Sequence, residues 1–571
     1  VETWTEQAAA VARLTKPAFV RLYEGTPETR TRKALLRARF RFRRGEFLRF
    51  VLPDLYNLPF NPFHRSILGR ERRPWAERQG VDRLWGVAAP RGVAKTTLLK
   101  GELLHDVVYG LEGYVVILSA EMRLARSIAR DVRSFLAAQD SALAQIYGPI
   151  EVQGGVEEFQ ARLPGGRWVG FLARSFGTQV RGANFEGQRP TRIAIDDGER
   201  PDRVRNPDQR AEWWKFLEDD ILKAGPRVGG LEVDIRGTVL HTDAVLARVL
   251  QHPGWSSRRW QALEAWPERA DLWEACGRIW KDLTLGDPEA RRAKALAFYE
   301  AHRAEMDRGA KVLDEHALPL FRFYEEIWKT SLRSVLRDLQ NTPTSGSARV
   351  FDTAKFHRCR VEGPWVVSLS PEGKELRRCK LADLRIALRL DPIPGNDLGG
   401  LGEDGGAGDG DPAAIAVVGR EHLHGCASYG YVLDGWMKRA KDSEMLRVLF
   451  EMAERWKAGR VSIESNGFQR LVTRDFRRLV EERRKAGHWC GWALDEDVST
   501  QNKDDRMGSL DVPCDNGWLL FSESIPRRML AQFDDFPNAD HDDFHDAVEG
   551  AYRASGGIKD LVATKPSQRL V

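Results

Sequence analysis

Lys95, Thr96 and Thr97 close a Gly- and Pro-punctuated stretch, Trp85–Thr97, that reads WGVAAPRGVAKTT. A lysine and a hydroxyl at the start of a helix suit phosphate chemistry. Backbone N–H groups at a helix N-terminus hold phosphate oxygens, the lysine reaches the β- and γ-phosphates, and the threonine hydroxyl sits on Mg²⁺. The residues of such a loop are Pro90, Arg91, Gly92, Val93, Ala94, Lys95, Thr96 and Thr97. Ala89 and Ala94 stand where the strict pattern has its two glycines. An alanine at position 94 implies ordinary backbone φ there. The bland alternative is a turn before an ordinary helix.

Downstream, Ile193-Ala-Ile195 is an apolar run that ends on Asp196-Asp197, with Glu199 close by. An acid-tipped strand beyond a phosphate loop fits Mg²⁺ binding by Asp196 and activation of water by a second carboxylate. Asp197 and Glu199 both qualify for the second role. Thr238 ends another apolar run, VDIRGTVL, where a hydroxyl would sense the γ-phosphate or form an ST-turn. Further along, Asp391 ends the run Leu384–Leu390 and Glu464 ends Arg460–Ile463. Asp543 and Asp546 lie three residues apart and share one face of a late helix. Brought together, these carboxylates suit two Mg²⁺ or Mn²⁺ ions about 4 Å apart for phosphodiester hydrolysis. Taken singly, each is as well explained as a cap or a surface charge.

The elements that must position these groups follow from periodicity. Leu84–Ala88, Tyr114–Ser119, Ile193–Ile195 and Val233–Leu240 read as buried strands, alternating with helical stretches such as TLLKGELLHDVVYG and AEMRLARSIARDVRSFLAAQ. A glycine-rich hairpin falls near LPGGRWVGFLA. Residues 255–340 are Trp-, Arg- and Glu-rich with helical periodicity, and NTPTSGS reads as a linker. A second α/β pattern begins at Leu384, with a hairpin to Ala413–Val418 over a long Gly/Asp tip at 395–411. Asn61, Phe63 and His64 form either an adenine contact or, more simply, a capped helix. Arg30–Arg49 carries nine basic residues against one glutamate, with Phe40, Phe42, Phe47 and Phe50 interleaved. A solvated helical face explains that segment as well as DNA or partner binding does.

Composition sets the frame. The 571 residues allow two or more domains with ample core. Hydrophobic residues make up 42% and charged residues 30%, which suits a globular chain, and no apolar run is long enough for a membrane span. The N-terminal segment lacks a signal-peptide pattern. The six cysteines have no metal-ligand spacing, so reduced thiols are expected. A net charge of +5 permits nucleic-acid binding without requiring it.

In order and spacing, APRGVAKTT, VRGANFEGQRPTRIAIDDGE, RGTVLHTD, LQNTP, LRLDP, SIESNGFQ, NKDDR and FPNADHDDFHDAV resemble the large terminase subunit of tailed bacteriophages, a DNA-packaging ATPase-nuclease. The resemblance covers roughly 55–555. It implies an α/β chain divided into a basic N-terminal extension (1–54), a RecA-like P-loop ATPase domain (55–255), a helical subdomain and linker (256–347), an RNase H-like nuclease domain (348–556) and a tail (557–571). It implies that Arg91 senses phosphate, that Thr238 couples hydrolysis to movement, and that Arg181 serves a neighbouring subunit's ATP site. It places Asp391, Glu464 and the Asp543/Asp546 pair in the nuclease, with Asp543 expected as the metal ligand, Asp546 as its neighbour or alternative, and Lys503 nearby. ATP and Mg²⁺, with Mn²⁺ possible at the nuclease, are the implied cofactors. Implied partners are double-stranded DNA, a small terminase subunit and the portal protein of a procapsid, on which a homo-oligomeric ring docks in the host cytoplasm, without a membrane. Two other readings compete. A repair helicase-nuclease would carry further helicase motifs and stacking loops, which the sequence lacks. A non-catalytic capsid-associated subunit would not need Lys95-Thr96 and Asp196-Asp197 intact.

Overall fold

The computed structural model describes residues 10–11, 13–78, 80–343, 350–392, 412–423, 428–464, 470–488, 490–497, 506–536, 539 and 541–556. The chain divides into two compact units. The first comprises Val1–Glu268, Asp307–Phe323 and Arg333–Gly346; the second comprises Arg269–Met306, Tyr324–Leu332 and Ser347–Val571. The helix-rich 256–347 stretch is therefore shared between the two. Among the described residues no helix is long and apolar enough to cross a membrane.

In the first unit, α1 (Thr29–Phe42), α2 (Arg44–Val51) and α3 (Pro62–Leu68) precede the sheet. Then follow β1 (Arg83–Ala88), α4 (Lys95–Val108), β2 (Tyr114–Ser119), α5 (Met122–Ala137), β3 (Glu151–Gly154), β4 (Glu158–Arg162), β5 (Trp168–Ser175), β6 (Arg192–Asp196), β7 (Glu232–Gly237), α6 (Val245–Gln251) and β8 (Ser256–Arg259). The sheet order is β3-β4-β5-β2-β6-β7-β1-β8. From β5 to β8 every pairing is parallel, while β3, β4 and β5 form the expected antiparallel edge. The central strands are buried on both faces, which is why β2 reads YVVILS without alternation. Helix α5 covers one face through Ala125, Ile128, Ala129, Val132 and Leu136, a 3.6-residue stripe. Strand β7 lies between loop-bearing β1 and acid-tipped β6, so the carboxyl ends of all three meet beside the start of α4.

Part of the basic N-terminal segment is built into this unit, while Arg30, Arg43 and Arg49 are exposed. Buried Arg44 donates to Glu102 Oε1 at 2.9 Å and to the carbonyls of Leu68 and Ile67. Buried Arg39 forks onto Glu46, and Arg37 Nε donates to Ile146 O at 2.7 Å. These three arginines satisfy backbone carbonyls and pair with buried Glu102 and half-buried Glu46, so neither a solvated face nor a nucleic-acid surface accounts for them.

The second unit contains α7 (Ala270–Lys281) and α8 (Pro288–Met306), then β9 (Arg358–Glu362), β10 (Trp365–Leu369), β11 (Glu375–Lys380), β12 (Leu384–Asp391), β13 (Ala413–His422), β14 (Ser428–Lys438), α9 (Asp442–Arg455), β15 (Arg460–Glu464), α10 (Arg470–Lys485), β16 (Ala493–Asp497), β17 (Leu519–Ser522) and α11 (Asp543–Ala554). Its sheet order is β11-β10-β9-β17-β14-β13-β12-β15-β16. Strands β12, β13 and β14 form an antiparallel meander in which Asp391 faces Ala414, while β15 lies parallel to β12 and β16 parallel to β15. The 395–411 tip lies outside the described residues. Strands β9–β11, an antiparallel meander, extend the sheet beyond the sequence-based strands. Helix α7 docks through Trp280, whose ring stacks on Trp518 at 6.1 Å, and Trp518 Nε1 donates to Lys281 O at 2.8 Å.

Candidate active sites

The first site gathers at the carboxyl ends of β1, β6 and β7. The loop after β1 turns through Gly92 at φ +82°, and a Cβ there would meet nothing within 4 Å, so the loop interior is open. Ala94 has φ +59° and ψ +33°, in the left-handed region. This corrects the expectation of ordinary φ at that position. The loop needs this turn to aim its N–H groups inward, and the alanine bears a Cβ penalty that a glycine would avoid. Lys95 opens α4 with its ammonium buried, donating to the carbonyls of Ala89 and Pro90 at 3.0 Å each and to Thr238 Oγ1 at 3.3 Å. Burial pushes the Lys95 ammonium down, and the charges of Asp197 and Asp196 oppose that shift.

Thr96 Oγ1 donates to Asp196 Oδ2 at 2.5 Å. Burial, then the charge of Asp197, pushes the Asp196 carboxyl up to about 6. A hydroxyl and a buried carboxylate in contact, beside an open loop and a lysine, form a donor set suited to a phosphate-bound Mg²⁺. Asp197, at φ +44°, is clamped by its backbone: its N–H donates to Arg236 O at 2.8 Å, and its carbonyl accepts from Ala120 at 3.0 Å. Its side chain lines the cavity, and a Cβ on Gly237 would lie 3.3 Å from Asp197 Oδ1. Glu199 is engaged differently. Its two carboxylate oxygens accept from Val245 N at 2.8 Å and Leu246 N at 3.2 Å, which caps α6. Lys95, Thr96, Asp197, Glu199 and Thr238, with Arg91 and Thr97, border a cavity of about 580 Å³. Arg91 pairs with Asp338 at 3.2 Å at its mouth. Val93 is buried behind the loop, and its carbonyl accepts from His64 Nε2 at 2.8 Å. Asn61 and His64 form a reciprocal cap at the start of α3, so these residues support the loop from behind. Arg181 is exposed and lies outside the cavity lining.

The second site is built on β12, β15 and α11. The ligand oxygens of Asp391, Glu464 and Asp546 all lie within 4.8 Å of one another, and all three residues are buried. β12 and β15 are parallel neighbours, so their acid tips emerge at one end of the sheet. Asp546 comes from the first turn of α11. This corrects the expectation that Asp543 is the ligand: Asp546 joins the trio, and Asp543 is buried three residues earlier, at the start of α11. Three buried carboxylates on three elements, close enough to share a ligand, suit a hard divalent cation.

Two arginines that the sequence reading did not single out complete the surroundings. Fully buried Arg389 lies 3.5 Å from Glu464 Oε2 and donates to Ser462 Oγ at 3.1 Å. Arg506 donates to Asp546 Oδ2 at 3.2 Å and to Glu549 Oε2 at 3.3 Å. Arg389 had a legible signal. It stands two residues before Asp391 in an apolar strand, hence on the same face. Lys503 lies outside the described residues.

No family model matches this chain, and no curated protein matches it. Solved structures do. The chain is similar to large terminases of several bacteriophages. The large terminase of the thermophilic bacteriophage D6E matches at 10% identity and a TM-score of 0.38, over 87% of this chain and 98% of that one. Its complex with ATP-gamma-S matches at 9% identity and a TM-score of 0.37, over 87% and 98%. The HK97 bacteriophage large terminase matches at 13% identity and a TM-score of 0.32, over 84% and 90%.

Proposed function

We propose that this chain is the large subunit of a phage genome-packaging motor, an ATPase that moves double-stranded DNA into a procapsid and an endonuclease that cuts it. The observation that carries this reading is the coexistence of two acidic centres on two sheets, one beside a phosphate loop and one without it. The motif order that resembles a large terminase supports the same pairing.

In the ATPase, the α4 N-terminus and Lys95 bind the phosphates, while Thr96 and Asp196 hold Mg²⁺. When bound, that ion neutralises charge on the phosphate oxygens. Asp197 takes the water-orienting role, because its carboxylate faces the cavity, whereas both Glu199 oxygens are committed to α6. Thr238 contacts Lys95 from β7 and so links phosphate occupancy to that strand. Arg91 contacts phosphate at the mouth, and exposed Arg181 serves the site of a neighbouring subunit in the ring. In the nuclease, Asp391, Glu464 and Asp546 hold Mg²⁺ or Mn²⁺, with Asp543 behind them. The ion supplies charge stabilisation at the scissile phosphate and acidifies water. The portal protein, a small terminase subunit and location on a procapsid in the host cytoplasm belong to the same proposal.

The test uses two substitutions and two assays. Lys95→Ala should abolish ATP hydrolysis and leave Mn²⁺-dependent plasmid cleavage intact. Asp391→Ala should do the reverse. A folded Lys95→Ala protein with ordinary ATPase activity, or an Asp391→Ala protein that nicks DNA at the unmutated rate, would remove that centre from the proposal.

A further inference from the structure

Arg506 occupies an unusual place for a positive charge. A fixed cation beside a carboxylate competes with a divalent ion for it. Here the guanidinium is buried, with Nη1 at 3.1 Å and Nη2 at 3.2 Å from the two oxygens of Asp546. The same Nη1 lies 3.3 Å from Glu549 Oε2, one turn further along α11. Glu549 is in turn held by Arg553 Nε at 3.1 Å. On the other side of the trio, Arg389 lies 3.5 Å from Glu464. Two of the three carboxylates that would bind the metal are thus already neutralised by the chain itself.

Resting on the nuclease reading above, we propose that Arg506 is a resident counter-ion of this site, which keeps the acids assembled before an ion arrives and weakens divalent-ion binding. Without a countercharge, three buried carboxylates within 4.8 Å of one another would repel and splay or protonate. The guanidinium prevents that, and its Nη2–H hydrogen bond to Oδ2 holds Asp546 in place. The same contact must then be shared or released when Asp546 turns to a cation. Glu549 offers the arginine a second anchor within the same helix, so release from Asp546 does not strand a buried charge. The consequence is a site with low affinity for metal, which fills fully only when the anionic phosphates of DNA add their own charge. Indiscriminate cutting between packaging events is thereby held down without a separate inhibitor.

The test is Mn²⁺ titration of the full chain by calorimetry, with Asp391→Ala identifying the isotherm of this site. Arg506→Gln removes the competing charge and should bind Mn²⁺ about tenfold more tightly, a change of the size that altering a partner of a metal ligand produces, but of opposite sign because this partner is a cation. Arg506→Lys keeps a charge but cannot fork across Asp546 and Glu549, so its affinity should lie between the two. The melting temperature without metal should fall in the same order, and the rise on adding Mn²⁺ should be largest for Arg506→Gln. A residue that merely holds Asp546 in position would give the opposite sign, since both substitutions would then loosen the ion. Unchanged or weaker Mn²⁺ binding in both variants overturns the proposal. If Arg506→Gln does not fold, Arg506→Lys decides alone: affinity equal to or below that of the unmutated chain overturns it. Failure of the unmutated chain to bind any Mn²⁺ that Asp391→Ala removes would instead sink the nuclease reading itself.

Discussion

Ala94 shows how one residue reports on its loop. A left-handed φ costs a residue with a Cβ about 1 kcal/mol or more, and here the cost is borne at the position where the strict phosphate-loop pattern has glycine. Ala94→Gly should therefore raise unfolding free energy by a few tenths to about 1 kcal/mol, reduced by glycine's greater freedom in the unfolded chain. ATP hydrolysis should be retained; denaturant melts and a phosphate-release assay check both halves. A clear loss of stability would mean that the alanine methyl makes a contact worth more than the strain. At the other centre, Asp543 and Asp546 are equivalent by spacing, and only the trio separates them. Asp546→Ala should weaken Mn²⁺ binding and plasmid cleavage more than Asp543→Ala does. The reverse order would transfer the ligand role to Asp543.

Helix α6 explains why two acids two residues apart, Asp197 and Glu199, have different duties. Its seven residues begin at Val245, and its first two amides point at Glu199. A short helix cannot leave those donors buried and unpaired, so Glu199 is held by α6, and burial pushes its carboxyl up although the amides oppose this. Glu199→Ala should cost about 1–2 kcal/mol of stability, the usual worth of a cap. Asp197→Asn should leave the melting curve near normal and cut ATP turnover by at least a hundredfold. A Glu199→Ala protein of unchanged stability that had lost turnover would exchange the two assignments.

Across the first unit runs a buried charge network that the sequence did not announce. Arg72 contacts Asp106 and Glu232, Arg78 contacts Glu112, Arg192 contacts Asp106, and Arg236 contacts Asp234 and Glu102. It ties α4, β6 and β7 to the segment before β1. Burial alone would push Asp234 up, but Arg236 and then Arg70 outweigh it and hold the carboxyl well below its usual range. A carboxyl depressed by folding stabilises above its unfolded pKa and loses that contribution as pH falls through the folded value. Asp234→Asn should therefore destabilise the protein by roughly 3–5 kcal/mol at pH 7, because it strands buried guanidinium charge. The difference from the unmutated chain should shrink steadily below about pH 4. Thermal melts from pH 3 to pH 8 check the sign; a difference that grows on acidification would contradict it.

The sequence by itself determined the features that are local. Buried parallel strands read as unbroken apolar runs, so β1, β2, β6, β12 and β15 and the acids at their tips were legible, as was the lysine-threonine start of α4. Period and end-chemistry need only neighbours in the chain. Tertiary structure decided the rest. It committed both oxygens of Glu199 to the start of α6, which depends on where that helix packs. It brought Asp546 to Asp391 and Glu464, which lie far away in sequence. It turned Arg37, Arg39 and Arg44 of the Arg30–Arg49 segment inward, since a buried acid such as Glu102 can be paired by an arginine from any distance along the chain. It also bent Ala94 into a left-handed turn, which β1 and α4 impose on the loop between them. Partners across a fold are set by packing of whole elements, and a single sequence carries no record of which elements meet.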